Sequence, residues 1–373
     1  MSRARWLVLG SHVPAEGGLG GMIRYTVEVT RALGDRDDVT VHAHCQPGAV
    51  PFFVDELGVA PERVHATARG STVPDSMWEV AAAGTLAERL GADVVFGSKQ
   101  LIPWRSGGAR RVLTVHDMLP MDRPSDFGPL KRLLLPPAYR RSIRSADVLA
   151  CVSGAARGRL CRHVPEAAAK AIVVPNAMTG ALSMAEPVAI PELIDRRFAL
   201  VVGDRSRRKN AGFVVDLWSD VVALVPDAHL VLVGPPGWGR NERIRELDGL
   251  VQRGHLTLAG RVDDRVLRWA YEHARLTVCP SLLEGFGLPV LEALSLGCPV
   301  VSSPDPAQVE AAAGAATVID LADRDRWVQT IAELLTAPRR TRPAGGPPEP
   351  RTWAQVAAEL VASAGLEGPV RAG

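Results

Sequence analysis

The sequence predicts an α/β protein made of two doubly wound domains, and three observations support this prediction. The chain has 373 residues, a length at which a single hydrophobic core has usually given way to two domains. Hydrophobic residues make up 47% and charged residues 23%, which excludes disordered and fibrous chains. Short apolar runs alternate with longer helical stretches, as in parallel sheets that helices cover on both faces.

Twelve apolar runs are the predicted strands, and helical stretches such as 22–33 and 75–90 separate them. The first half contains Trp6–Gly10, Val39–Cys45, Asp93–Gly97, Arg111–His116, Val148–Val152 and Ile172–Val174. The second half contains Phe198–Val202, His229–Val233, Leu256–Ala259, Leu276–Cys279, Pro299–Ser302 and Ala316–Ile319. The rhythm of the first half is repeated in the second, so each half is expected to form its own sheet.

Helix-breaking residues set the predicted boundaries. Gly180, Pro187 and Pro191 interrupt the periodicity between the halves, and 338–350 is rich in proline, glycine and arginine. An amphipathic helix from Trp353 to Ala364 follows and must dock on another part of the protein. The predicted order is a domain at 1–178, an interdomain linker at 179–196, a domain at 197–337, a Pro/Gly/Arg-rich linker at 338–351 and a terminal helical segment at 352–373.

Composition limits the partners and the compartment. The net charge of only +2 gives no case for nucleic acid as a partner. The five cysteines include no C-x-x-C pair, which favours reduced core thiols over a disulfide framework or a zinc site. The apolar run Trp6–Leu9 is too short for a signal peptide, and no apolar run approaches 18 residues. We therefore expect a cytoplasmic protein.

A glycine-rich turn, 17–21, follows the first predicted strand and leads into a helix at Met22. Glycines let the backbone approach an anion, and a helix N-terminus presents unpaired N–H groups. The turn lacks the G-x-G-x-x-G spacing of a dinucleotide site. A flexible loop therefore explains it equally well.

Four cations stand within five positions, 205–209, where a predicted strand runs into a helix. Positive charge at the carboxyl end of a parallel strand suits a diphosphate, although a solvated basic loop is the alternative. All but four of the 43 basic residues are arginine. Lys209 is therefore informative, because a compact ammonium binds phosphate differently from a planar guanidinium.

The strongest motif is EGFGLPVLE, from Glu284 to Glu292. A strand ends at Cys279, a glycine loop turns, and Pro289 stands in the first turn of a helix, where it costs no hydrogen bond. Glu292 lies among apolar residues and needs polar partners, which sugar or ribose hydroxyls would provide. Glutamates that merely complement the helix dipole would leave the glycine loop unexplained.

With these motifs the chain resembles the retaining glycosyltransferases of family 4, whose GT-B fold has two facing Rossmann-like doubly wound domains and a C-terminal crossover helix. The most specific element is the Glu-x7-Glu motif, Glu284 to Glu292. Supporting elements occur in the same order: Gly20 to Tyr25, Thr114 to Asp117, Val174 to Asn176, Arg208 to Asn210, Val231 to Gly234, and Trp353.

The resemblance implies a nucleotide-sugar donor held by 197–337, an acceptor held by the N-terminal domain, and a last helix that crosses back to that domain. Glu284 would contact sugar hydroxyls, Glu292 the ribose, and Lys209 the diphosphate. His116 would lie near the sugar, and it joins Glu284 and Lys209 as a catalytic candidate. The remaining donor-binding candidates are Gly20, Gly21, Arg205, Arg208, Gly234, Arg261, Val262, Gly285, Phe286, Gly287 and Leu288.

Three positions depart from the family pattern. Asp204 stands where an arginine commonly follows the glycine of the diphosphate strand, so Arg205 or Arg208 is expected to take the second phosphate-binding role. Gln308 replaces a common glutamate, and Ala177 replaces a common glycine. Donor binding is therefore expected to differ in detail from that of other members.

The function implied by the resemblance is hexosyl transfer, in polysaccharide biosynthesis, from a GDP- or UDP-sugar to a glycan, lipid-linked or natural-product acceptor with retention of configuration. Cations and N–H groups can stabilise the leaving phosphates without a metal, so neither a metal nor a cofactor is expected. Two alternatives stay open: a catalytically silent GT-B subunit that supports another transferase, and a GT-B epimerase or phosphorylase.

A basic segment of the first half is a candidate for peripheral contact with the inner face of the membrane. It contains Lys131, Arg132, Arg140, Arg141 and Arg144, which could rest on anionic lipid beside a lipid-linked acceptor. Pro136 and Pro137 are expected to interrupt its helix. A solvated basic face is the alternative.

Overall fold

The computed structural model describes residues 3–15, 20–67, 75–235, 246–338 and 351–365. The chain divides into two compact units. The first contains 1–124, 129–177 and 351–373, and the second contains 125–128 and 178–350. The predicted linker over 339–350 and Gly17, Gly18 and Leu19 of the glycine-rich turn lie outside the described residues.

The first unit is built on a parallel sheet of seven strands in the order β3-β2-β1-β4-β5-β6-β7. The strands are β1 (Ala4–Leu9), β2 (Val39–Cys45), β3 (Val64–Ala66), β4 (Val94–Gly97), β5 (Arg110–Val115), β6 (Val148–Cys151) and β7 (Ala171–Val173). The chain runs outward from β1 to β3 and then returns to β4 on the other side of β1. The winding direction therefore reverses between β1 and β4.

The second unit repeats this topology with six parallel strands in the order β10-β9-β8-β11-β12-β13. They are β8 (Phe198–Val202), β9 (His229–Val233), β10 (Leu256–Gly260), β11 (Leu276–Cys279), β12 (Val300–Ser302) and β13 (Thr317–Val318). Here the winding direction reverses between β8 and β11. In open parallel sheets, ligands bind outside the carboxyl ends of the strands at such a reversal.

Thirteen α-helices are present among the described residues. They are α1 (Gly21–Gly34), α2 (Asp75–Leu90), α3 (Leu119–Asp122), α4 (Pro129–Ser145), α5 (Gly154–His163), α6 (Gly180–Met184), α7 (Ala211–Leu224), α8 (Leu247–Gln252), α9 (Asp264–His273), α10 (Leu288–Ser295), α11 (Pro306–Ala312), α12 (Arg324–Thr336) and α13 (Trp353–Ser363). Short 3-10 turns lie at Pro47–Ala49, Pro61–Arg63, Pro124–Asp126, Pro165–Lys170 and Pro191–Leu193, and a π-helical turn lies at Phe52–Glu56.

Strand β8 of the second sheet is apolar throughout because its side chains face buried cores on both sides of the sheet. Ala199 and Val201 of β8 face a core that contains Trp218 of α7 and Trp327 of α12. Phe198 and Leu200 of the same strand face a second core on the other side. All twelve predicted strands are confirmed within one or two residues. The additional strand, β3, has only three residues and gives no apolar run to detect.

Two predicted interruptions are not interruptions in the structure. Pro136 and Pro137 lie inside the continuous helix α4. The prolines leave the carbonyls of Arg132 and Leu133 without helical N–H donors, and both residues are exposed, so water can bond those oxygens. The stretch 179–196, predicted as a linker, contributes Leu182, Ile190 and Leu193 to a core of the second unit.

The last helix, α13, packs against α1 within the first unit. It begins with a capping box in which the Thr352 side chain and Gln355 bond each other's backbone N–H groups. Trp353 packs edge-on against Tyr25 of α1 at a centroid distance of 5.6 Å. Val356 and Leu360 are fully buried on the same face. The amphipathic pattern of this helix therefore has its partner in the first unit.

Candidate active site

The candidate active site of the second unit is a crevice at the reversal between β8 and β11. The loop 203–210 follows β8, and the loop 280–287 follows β11; Lys209 and Asp204 line the crevice from one loop, and Ser281, Glu284 and Gly287 from the other. The topology therefore brings together two motifs that the sequence separates by about 75 positions.

Local hydrogen bonds hold the loop after β8 in place. Asp204 accepts hydrogen bonds from the backbone N–H of Ser206 at 3.3 Å and from its hydroxyl at 2.5 Å, as in an Asx turn. Asn210 has a left-handed backbone, with φ of 55°, and its amide donates to the carbonyl of Pro280 at 3.1 Å. Asp204, the departure from the family pattern, thus shapes the loop.

Three charged side chains meet in this crevice. Lys209 Nζ lies 2.7 Å from Glu284 Oε1, and Arg208 Nη1 lies 3.1 Å from Glu284 Oε2. The Ser281 hydroxyl donates to Glu284 Oε1 at 2.6 Å. Burial alone would raise the pKa of Glu284, but Lys209 and Arg208 lower that pKa to about 2. Glu284 is therefore a carboxylate at neutral pH, and the cluster of these three side chains has one net positive charge.

Glu292, the second glutamate of the motif, is buried on α10, with only 4% of its surface exposed. The Tyr271 hydroxyl, from α9, donates to Glu292 Oε2 at 2.9 Å. Sequence reasoning predicted that Glu292 needs partners but missed Tyr271. The sequence does contain a feature that could have predicted this contact. Leu267 and Tyr271 are four positions apart and so lie on one face of a helix, and a tyrosine on an apolar face needs a partner for its hydroxyl.

A buried polar group behind the crevice supports the loop after β11. Gln308 Nε2 donates to the Ser303 hydroxyl at 3.1 Å, and that hydroxyl donates to the Ser281 carbonyl at 2.5 Å. Asp305 caps α11, the helix that carries Gln308. Gln308 thus acts through Ser303 on the residue that bonds Glu284.

The other donor-side candidates occupy different positions around the second sheet. Gly234 has a φ of 138°, and a Cβ atom there would lie 2.1 Å from the Gly203 carbonyl oxygen, so glycine is required for the backbones to approach. Arg205 is half-buried in the loop after β8, whereas Arg261 is exposed after β10. Gly287 begins α10 with a φ of 96°. Val262, Gly285, Phe286 and Leu288 are half-buried.

His116 lies in the first unit, directly after β5. Its Nε2 lies 2.8 Å from the Ser98 carbonyl, and because a carbonyl only accepts, Nε2 carries the proton. Tyr25 packs edge-on against the imidazole at a centroid distance of 4.8 Å. Burial lowers the pKa of His116, against the raising effect of the Ser98 carbonyl and Asp117. Gly20 and Gly21, at the start of α1, belong to the same unit.

Two properties of the described residues bear on metals and membranes. No group of three His, Cys, Asp or Glu side chains among them is arranged to hold a metal ion. Within the same residues, each helix is either too short or too polar to cross a bilayer.

Two family models match the chain, one in each half. The model described as Glycosyltransferase Family 4 matches residues 19–179, and the model described as Glycosyl transferases group 1 matches residues 188–345. The second match contains the complete Glu284 and Lys209 crevice. The first match contains β2 to β7 of the first sheet, and the second contains all six strands of the second sheet.

Two curated relatives carry related names. The chain is 23% identical over 329 residues to O-antigen chain mannosyltransferase RfbU of Salmonella typhimurium, covering 85% of this chain and 88% of that protein. It is 28% identical over 234 residues to O-antigen chain mannosyltransferase B of Escherichia coli, covering 61% of each. That second match therefore spans less than two thirds of the E. coli protein.

Solved structures show the fold. Sucrose-phosphate synthase from Thermosynechococcus elongatus superposes with a TM-score of 0.68 at 18% identity, covering 97% of this chain and 94% of that one. WaaG, a glycosyltransferase involved in lipopolysaccharide biosynthesis, superposes with a TM-score of 0.64 at 16% identity, covering 96% and 94%. Anabaena HepE in complex with UDP-glucose gives 0.66 at 15% identity, covering 97% of each. The predicted GT-B fold is confirmed.

Proposed function

Because this chain is a glycosyltransferase of the GT-B fold, we propose that it binds a nucleoside diphosphate sugar in the crevice of the second unit and transfers the sugar with retention of configuration. The observation that supports this most is the cluster of Arg208, Lys209 and Glu284. It provides two cations and one ionised carboxylate at the sheet reversal, where a parallel α/β domain binds ligands.

The charges of the cluster suit the two parts of such a donor. Lys209 and Arg208 bind the diphosphate, whose negative charge grows as it leaves the sugar. Glu284, with a pKa of about 2, accepts hydrogen bonds from sugar hydroxyls and has no proton to donate. In the free protein, Glu284 forms ion pairs with both cations. Donor binding therefore exchanges one set of ionic contacts for another.

Glu292 is proposed to hold the ribose. Tyr271 bonds one of its carboxylate oxygens, and the two hydroxyls of a ribose match a carboxylate as hydrogen-bond donors. The Gly285 to Leu288 backbone, Gly234, Arg205, Arg261 and Val262 complete the proposed donor side. Gly20, Gly21 and His116 are the proposed site residues of the first unit.

The proposed reaction needs no protein base. The bond between the anomeric carbon and the phosphate oxygen breaks, and a bond from the acceptor oxygen forms on the same face of the sugar. The acceptor proton passes to the departing phosphate. Charge stabilisation by Lys209 and Arg208 is the principal contribution of the protein, so we propose a reaction that is independent of metal ions.

Acceptor and location follow from helix α4 and from the relatives. Leu130, Leu133 and Leu134 are exposed by 69%, 72% and 54% and lie at helical spacing beside Lys131 and Arg132. Apolar side chains next to cations suit the surface of an anionic membrane. The O-antigen names of the relatives agree with a glycan or lipid-linked acceptor, and we propose peripheral binding at the cytoplasmic face.

The donor is tested by calorimetric titration of the full chain with GDP and with UDP. Both nucleotides are titrated because the relatives are named mannosyltransferases, whereas one structural neighbour is a complex with UDP-glucose. Mass spectrometry of hydrolysed donor sugars then identifies the sugar. Failure to bind either diphosphate would refute the proposed donor class.

Metal independence is tested by activity in excess EDTA. We expect the rate to persist, because Arg208 and Lys209 already provide positive charge at the phosphates. A rate that vanishes and returns only with manganese or magnesium would overturn this part of the proposal.

Membrane contact is tested by sedimentation with vesicles of phosphatidylglycerol and of phosphatidylcholine. Leu133→Ser should weaken binding to the anionic vesicles. Leu224→Ser is the matched control, because Leu224 is also half exposed but belongs to the second unit. Equal binding by both variants would exclude α4 as the contact surface.

A further inference from the structure

The first unit has its own reversal of winding between β1 and β4. We call the region outside the carboxyl ends of these two strands the first crevice, and the residues named below have no role in the proposed donor site. His12 lies in the loop after β1, and Ser98 and Lys99 lie directly after β4. The equivalent position in the second sheet is the proposed donor site. The general rule for ligand position in open parallel sheets applies equally here.

A chain of hydrogen bonds fixes the proton of His12. The Ser98 hydroxyl donates to the Leu9 carbonyl at 3.0 Å. The Thr26 hydroxyl lies 2.9 Å from both the Met22 carbonyl and Ser98 Oγ, and it donates its single proton to one of these two acceptors. Thr26 therefore presents a lone pair to His12 Nε2, which lies 2.9 Å away, and His12 donates from Nε2. The other nitrogen, Nδ1, is then a buried acceptor.

His12 Nδ1 has no hydrogen-bond partner within the described part of the chain. Burial first, and then the charge of Lys99, lower the pKa of His12 to about 4, so the ring is neutral at pH 7. A buried lone pair without a partner is costly. A ligand hydroxyl would satisfy it.

Lys99 provides the second observation. Lys99 is half-buried, and it forms no ion pair with any residue that the structure describes. Burial lowers the pKa of Lys99, and its electrostatic neighbours are Glu79 and Lys131. Glu79 already accepts bonds from Ser11 N and His44 Nδ1. Glu79 opposes the effect of burial on Lys99 but is shared with these two donors, so an anionic ligand would stabilise the partly buried ammonium further.

We propose that this crevice binds an anionic group of the acceptor, a phosphate or a carboxylate, at Lys99, with a neighbouring hydroxyl on His12 Nδ1. This inference rests on the proposed function, in which the first unit holds the acceptor. It adds the chemical class of the acceptor and a residue that selects it.

The test compares Lys99→Met with Lys170→Met. Both remove one lysine charge from the first unit, but Lys170 directly precedes the edge strand β7 and bonds the carbonyls of Arg144 and Ala146. Inorganic phosphate is titrated while the His12 imidazole signals are followed by NMR, and His12→Gln assigns those signals. We expect Lys99→Met to weaken phosphate binding at least tenfold and Lys170→Met to change it less than twofold.

Further probes identify the source of the anion. Glucose 6-phosphate and glucuronate represent soluble acceptors, farnesyl phosphate in detergent micelles represents a lipid-linked one, and uncharged glucose is the negative control. A Lys99-dependent response to any anionic probe supports the inference. The probe that binds most tightly indicates whether the acceptor is soluble or lipid-linked. No His12 response to phosphate, or equal responses in wild type and Lys99→Met, overturns it.

GDP and UDP binding is measured in the same samples. It should be unchanged in Lys99→Met, because Lys99 lies outside the donor crevice. If the wild-type protein bound neither GDP nor UDP, the proposed function would be refuted. The phosphate titration separately tests the role of Lys99. The two failures are therefore distinguishable.

Discussion

The crevices of the two sheets occupy the same topological position but have different electrostatics. In the second unit, Lys209 and Arg208 contact a buried carboxylate, so one of their two charges is balanced before a ligand arrives. In the first unit, the described residues give Lys99 no ion pair, and His12 is neutral. The shared winding fixes where ligands bind, whereas a few loop residues decide which ligands are bound.

The difference also concerns how each crevice is prepared for its ligand. Glu284 keeps Lys209 and Arg208 in place while the second crevice is empty, and a donor must replace those contacts. In the first crevice, His12 Nδ1 has no hydrogen-bond partner among the described residues. We therefore expect the second crevice to be sensitive to loss of its carboxylate and the first to loss of its cation.

The largest expected effect comes from removing the carboxylate. Glu284→Ala should lower kcat about a hundredfold, because the variant loses a contact to the sugar as its position changes in the reaction. Binding of the cognate diphosphate should be equal or tighter, since Lys209 and Arg208 lose their competitor. Steady-state kinetics and calorimetry measure both quantities.

Glu292→Ala provides the contrast, because it should raise the donor KM and weaken diphosphate binding. Glu333→Ala on the exposed side of α12 is the neutral control. If Glu284→Ala weakened diphosphate binding as much as Glu292→Ala, the division of roles along the motif would be wrong.

The two crevices should also respond to acid in different pH ranges. Glu284 has its pKa lowered from 4.5 to about 2, so its stabilising effect is complete above pH 4.5 and is lost as the pH falls towards 2, by roughly 3 kcal/mol. The pKa of His12 is lowered from 6.5 to about 4. As the pH falls, His12 is protonated in the unfolded state before it is protonated in the folded state. The free energy of unfolding therefore decreases between pH 6.5 and 4.

Denaturant unfolding at a series of pH values separates these contributions. Glu284→Gln should flatten the change between pH 4.5 and 2, and His12→Gln should flatten the change between pH 6.5 and 4. Identical pH profiles for the two variants would mean that the two crevices are electrostatically alike.

Removing the cation of the second crevice should have a moderate effect. Lys209→Ala should weaken diphosphate binding by about 2 kcal/mol, since one charge-assisted contact is lost. Binding of the nucleoside without phosphates should hardly change. Arg253→Ala, which removes an exposed cation of the same unit, is the control, and equal losses for both ligands would indicate damage to the fold.

The smallest expected effect concerns a residue that acts through Glu292. Tyr271→Phe removes only the hydroxyl that bonds Glu292 Oε2, so the donor KM should rise about fivefold, corresponding to about 1 kcal/mol. The kcat value should stay within twofold, because ribose binding is the same in ground and transition states. A fall in kcat without a change in KM would contradict a positioning role.

The sequence predicts the strands and the motif well, because each is a local pattern. The contact between Lys209 and Glu284 was not predicted, since it depends on β8 lying beside β11, which no local pattern encodes. Tyr271 and Glu292 meet for the same reason, through the packing of α9 on α10. The predicted interruption at Pro136 and Pro137 of α4 was wrong, because an exposed helix can leave two carbonyls to water.

The packing of Trp353 on Tyr25 has a consequence for how the protein is made. Domains generally fold as units while the chain is being synthesised, but the first unit includes α13, which is synthesised after the entire second unit. The face of α1 that carries Tyr25 must wait for the last helix to emerge from the ribosome. The domain that begins first is thus completed last, and a chain cut short before Trp353 would contain a finished second unit beside an α1 whose apolar face stays open to chaperones.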